Sequence, residues 1–110
     1  MGLLGNFIAK QDVKSAVAML NQCWLATDDI INRYKYSSRA IERDDSGKIM
    51  ASIDFFNRQK TTITNLIRSN SLKPFDITVN THSGGSCTLM QYLNTVDKYL
   101  IDLNNYLTRR

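Results

Sequence analysis

One stretch of this chain gathers side chains that could do chemistry. THSGGSCT, Thr81 to Thr88, holds the only histidine, one of two cysteines, two serines and two glycines. Two chemistries would suit it. A Gly-rich loop entering a helix can present backbone N–H groups to a phosphate or carboxylate, with His82, Gly84, Gly85 and Ser86 as the ligand loop. A cysteine beside a helix N-terminus can also lose its proton readily, with His82 as base, and act as a nucleophile. Against both, no Walker-type lysine follows and no Cys-x5-Arg pattern exists. Nor does an Asp or Glu stand near His82 in sequence to orient it. A structural reading accounts for every residue: Gly84 and Gly85 turn the chain, and Thr88 with Gln91 three residues on forms a capping box. Cys87 then precedes the cap as an apolar staple toward Tyr92. The expectation is a hinge and a cap, and neither an enzyme nor a cofactor site.

A second stretch, NRYKYSSRAIER from Asn32 to Arg43, interleaves basic and aromatic residues as single-strand-binding surfaces do. On a helix it would offer Arg33, Lys35, Tyr36, Arg39 and Arg43 to nucleic acid or an acidic partner. The competing reading is a solvated helix face on which Asp29 pairs with Arg33 at i,i+4. A third pattern is Tyr92, Tyr99 and Tyr106, spaced by seven. Such a row is either the flank of a helical seam, with hydroxyls in water, or an exposed ladder for a partner. At the start, Leu3, Leu4, Phe7 and Ile8 form a small apolar face that docks as a short helix or inserts into a partner. A single histidine and scattered carboxylates do not assemble a triad or a metal site.

The elements that would position these residues are written in three apolar stripes of alternating four and three steps. The first runs Val13, Val17, Leu20, Trp24, Thr27, Ile31, Tyr34, Ser38 and Ile41. It predicts a helix over 12–43, N-capped by Asp12 and roughly 45 Å long. DDSG, Asp44 to Gly47, then reads as a turn. The second stripe, Ile49, Ile53, Phe56, Lys60, Ile63 and Ile67, predicts a helix over 47–69, with the Lys60 stem along apolar surface and its ammonium in water. Pro74 stops it. FDITVNT alternates like a strand that lacks an intrachain partner, so 70–87 is expected as a loop or extended arm, lying on the helices or pairing with another subunit. The third stripe, Leu89, Leu93, Val96, Leu100, Leu103 and Leu107, predicts a helix over 88–108, with Asp97 and Asp102 early and Arg109 and Arg110 late.

The expected fold is all-α. It is an antiparallel three-helix, coiled-coil-like bundle with a short N-terminal helix in 1–11 and an irregular or strand-like connection before the last helix, one domain over 1–110. With 110 residues, 43% hydrophobic and 22% charged, the chain suits one globular unit. A net charge of +4 is well short of a dedicated nucleic-acid clamp. No run approaches the roughly 18 apolar residues of a membrane span, and MGLLGNFIAK lacks the basic start and cleavage pattern of a signal peptide. Cys23 and Cys87 lie far apart, without the spacing of a zinc site, which suggests a reducing, cytoplasmic setting. The longer first helix would leave apolar stripe uncovered. The function expected is therefore a non-catalytic protein–protein interaction or assembly module acting as a homo-oligomer. The alternatives are a small basic nucleic-acid binder using the Arg33–Arg43 face, and an anion or ligand site at 81–88.

Overall fold

The computed structural model describes residues 3–108. It is mostly helical, with three long helices and one two-stranded antiparallel sheet: α1 (Leu3–Asn32), α2 (Arg43–Ser69), β1 (Thr78–Asn80), β2 (Ser86–Thr88) and α3 (Leu89–Leu107).

The first stripe sits where its period requires, with Val13, Val17, Leu20, Trp24, Thr27 and Ile31 all buried. The helix that carries it is displaced, however. It begins at Leu3 and passes straight through Asp12, so the separate N-terminal helix and the Asp12 cap are not formed. Nothing in 3–32 breaks a helix: there is no proline, and Gly5 alone costs about 1 kcal/mol. Buried Ala9 extends the stripe one turn upstream.

The helix also ends eleven residues before Arg43, at Asn32. The amides of Arg33 and Tyr34 reach back three residues, to Ile30 O and Ile31 O, tightening the last turn. Ser37 then accepts the Arg39 N–H at 3.0 Å, a local bond that competes with helical pairing. Tyr34 is 1% exposed and buries its ring, donating its hydroxyl to Asp45 and accepting the Glu42 N–H at 3.2 Å. Its place on the stripe reflects burial, though not burial in a helix.

DDSG is likewise not a turn. Asp44 and Asp45 occupy the first turn of α2, where carboxylates favour the helix dipole. Gly47 lies inside the helix. Ser69 closes α2 with Ser71 at φ 51° and the Leu72 amide bonded to Ile67 O at 2.9 Å, a Schellman-type end carried by a residue other than glycine.

The arm between α2 and α3 does find an intrachain partner, against expectation. A 3-10 turn at Pro74–Asp76 leads into β1, which pairs with β2 in the register Thr78 with Thr88, Val79 with Cys87 and Asn80 with Ser86. Gly84, at φ 93°, makes the reversal. The hairpin was hidden in the sequence because Ser86–Thr88 has no apolar alternation of its own. Thr88 ends the strand and caps α3 with the expected capping box, its Oγ1 accepting Gln91 N–H at 3.2 Å. Arg109 and Arg110 lie outside the described residues.

Cross-helix pairs set the directions. Thr27 on α1 meets Ser52 on α2 at 2.8 Å while Tyr34 meets Asp45, so these helices run antiparallel. The Lys60 ammonium reaches the solvent-exposed edge of the bundle, where it pairs with Asp97 on α3. Tyr92 meets Asn21 and Tyr99 meets Asp28, both at 2.7 Å, so α3 runs parallel to α1. Trp24, Phe56 and Tyr99 join the three helices at one level, with ring centroids 4.5–5.5 Å apart.

Candidate functional site

The loop at 81–85 turns its donors inward. Gly84 N–H goes to Thr81 O at 3.2 Å, and Gly85 N–H to Thr81 Oγ1 at 3.1 Å. Thr81 N–H returns to Gly85 O at 2.9 Å. The two glycine amides that an anion would need are thus used by Thr81 to hold the turn. Ser86 stands exposed at the start of β2.

His82 has left the loop for the core edge. Its ring stacks on Trp24 at 4.2 Å and 9°, and its Nε2 lies 3.9 Å from Asp28 Oδ2. A carboxylate does therefore stand beside His82, contrary to the reading from sequence neighbours. It comes from α1, 54 positions away, a pairing no local motif could disclose. Asp28 is shared, since its other oxygen accepts the Tyr99 hydroxyl. Burial, with Asp28 alongside, holds the Tyr99 phenol well above its ordinary value. Burial pushes the Cys87 thiol above its usual range. That direction lowers the thiolate fraction, the opposite of what a nucleophile needs. Among the described residues no three His, Cys, Asp or Glu side chains converge on a point that would hold a metal.

The tyrosine row belongs to α1 rather than to solvent. Tyr92 and Tyr99 are buried, and their hydroxyls land on Asn21 and Asp28, which share their seven-residue spacing. Two parallel helices with matched heptads bring each phenol to one acceptor. Tyr106, one heptad further, comes level with the end of α1 and lines a shallow groove with Asn32, Lys35 and Asp102.

Of the five residues proposed for nucleic acid, Arg33, Lys35, Tyr36 and Arg39 lie outside the helices, and only Arg43 is helical, so they do not share one helical face. Arg33 Nη1 contacts Asp45 Oδ1 at 3.3 Å. The expected Asp29–Arg33 pair gives way to it because the chain leaves the helix at Asn32. Arg39 lies over the Tyr34 ring at 4.9 Å and reaches Glu42 at 3.6 Å. Arg43 is exposed at the head of α2. Lys35 stands over the Tyr36 ring at 5.6 Å, and Tyr36 is 93% exposed.

The N-terminal apolar residues form part of a larger surface. Leu4, Phe7 and Ile8 are 71%, 60% and 51% exposed. Leu3 lies in α1, its side chain outside the described residues. Met19 and Leu25 are also exposed on α1. At 100° per residue these side chains share one outward face with Gln11, Ser15, Ala18, Gln22 and Ala26, all exposed. From Leu4 to Ala26 that face, about 33 Å long at about 1.5 Å per residue, carries no charge. Lys10 and Lys14 flank it on one side and Asp12 on the other. Only its first two turns stand out in the sequence, because the stronger inward stripe of the same helix masks the rest. Among the described residues no helix is long and apolar enough to cross a membrane.

None of the family models, curated proteins or solved structures compared matches this chain.

Proposed function

We propose that this chain is a non-catalytic assembly module, a three-helix bundle that works by self-association through the outward face of α1. The observation that carries the reading is the uncharged exposed strip from Leu4 to Ala26. Surface helices of globular proteins normally turn charged residues outward, and large exposed apolar patches mark interaction sites. A second copy suits it well. The chain carries +4 overall, so copies repel at a distance, yet on this strip they meet without opposing like charges. The two free thiols, Cys23 and Cys87, fit a reducing cytoplasmic setting. Static light scattering at about 50 µM is the test. A mass of two or more chains supports the reading, and a stable monomer that binds no apolar dye removes it.

A second reading has one observation in its favour. Tyr36, exposed with Lys35 against it, offers a stacking platform for a single-stranded base. Its test is a shift of labelled single-stranded DNA at low salt that weakens with added salt and with Tyr36→Ala.

A further inference from the structure

The short sheet has one edge that the fold leaves open. In an antiparallel pair, main-chain groups point alternately toward the partner strand and away from it. Leu89 N–H bonds to Ile77 O at 2.8 Å and Thr81 N–H to Gly85 O at 2.9 Å. With Val79 opposite Cys87, residues 77, 79 and 81 thus aim their groups at β2, and Thr78 and Asn80 aim theirs away.

The direction of that outer edge is fixed by Asn21, whose Nδ2 donates to Asn80 O at 2.8 Å. The edge faces α1. Asn21 Oδ1 in turn accepts the Tyr92 hydroxyl, so the amide is held at both ends and closes one end of the space. Beyond it, the Thr78 N–H and C=O face a groove of about 320 Å³ between β1 and α1. Its floor is the buried side chains of Val17 and Val79, with Ala18 too small to fill it, and Lys14 stands on its rim. No carboxylate lines it, and Lys14 makes no ion pair among the described residues.

We infer that this groove binds an extended acidic peptide segment, added to β1 as a third strand with a carboxylate toward Lys14. The middle residue of the segment exchanges both main-chain hydrogen bonds with Thr78, as strand addition requires. A third strand would run about 4.8 Å from β1, with three residues of about 3.3 Å each pairing along it. The positive rim with no acidic lining selects glutamate or aspartate over lysine. Asn21 ends the pairing at Asn80, which limits the contact to about three residues and makes the affinity modest.

This site adjoins the self-association face proposed above and shares Ala18 with it, but the two are read by different quantities. The probe is a fluorescein-labelled octapeptide of alternating valine and glutamate, titrated into the full chain by anisotropy, with 15N spectra recorded alongside. Saturable binding with Kd below about 1 mM is expected, moving the Thr78 amide and leaving far-UV circular dichroism unchanged. The valine–lysine counterpart, and a peptide N-methylated at alternate residues, are expected to bind at least about fivefold more weakly. Lys14→Glu, exposed and outside the core, is expected to weaken the acidic peptide about fivefold or more, and Ala18→Leu to fill the groove and do the same. Absence of binding at 1 mM overturns the inference. So do equal binding of the lysine peptide, indifference to both variants, or amide shifts that avoid β1. A monomeric mass by light scattering would remove the self-association without touching this result.

Discussion

Replacing Gly47 with alanine should stabilise the protein, while the same replacement at Gly84 should destabilise it. Gly47 is the fifth residue of α2, exposed, with no atom within 4 Å of an added Cβ. A glycine inside a helix costs about 0.5–1 kcal/mol relative to alanine, because it has more backbone freedom to lose. With no clash to set against this gain, Gly47→Ala should contribute about that amount. For a chain of this size it corresponds to a Tm increase of about 2–6 °C. Gly84 also has open space around it, but its φ is 93°. Alanine there should cost about 1 kcal/mol or more in left-handed strain. Thermal unfolding followed at 222 nm, with urea titrations to confirm unchanged m values, gives both numbers. A fall in Tm for Gly47→Ala would refute the reasoning, since it would mean that DDSG is the turn its composition suggests.

Ser71, at φ 51° in the end of α2, should accept glycine with a gain of about 0.5–1 kcal/mol, read by urea unfolding. In a Cys23→Ala background, Cys87 should alkylate slowly at neutral pH, its rate still climbing above pH 9 because burial raises the thiol. Fast labelling below pH 7 would contradict this. The phenols of Tyr34, Tyr92 and Tyr99 are held above their ordinary value of 10.0, the first chiefly by its bond to Asp45 and the others chiefly by burial. Their neutral forms therefore favour the fold. That contribution is complete below pH 10 and is lost as pH rises toward the folded values. Tyrosinate absorbance at 295 nm from these three should thus appear together with loss of helical signal. Tyr92→Phe should cost about 0.5–1.5 kcal/mol by urea unfolding, the usual net worth of one hydrogen bond.

How much of this was legible in the sequence depends on what each residue answers to. The stripes report burial, and they identified Val13, Trp24, Ile49, Phe56, Ile63, Val96 and Leu103 as core. The cap at Thr88 is also local chemistry and stood out. Boundaries answer to tertiary partners instead. The first helix stops at Asn32 because Tyr34 turns in to a carboxylate eleven residues on, and Ser37 satisfies the Arg39 amide. The hairpin depends on a three-residue strand too short and too polar to show a period. His82 with Asp28, and the free edge of β1 beside Lys14, arise from segments brought together only by folding. The heptad of tyrosines was plain, but its meaning required knowing that Asn21 and Asp28 repeat with it on a parallel helix.

Self-association as proposed requires the uncharged outward face of α1 to be the contact between copies. Sedimentation equilibrium of the intact chain, from about 1 to 200 µM, addresses it directly when set beside a Phe7→Glu, Met19→Glu double variant. Both side chains are 46–60% exposed, so the fold should tolerate the change. Mass rising with concentration in the wild type, and a single-chain mass throughout in the variant at unchanged circular dichroism, is the predicted result. A wild type that stays monomeric to 200 µM, or a variant that associates equally well, would contradict it.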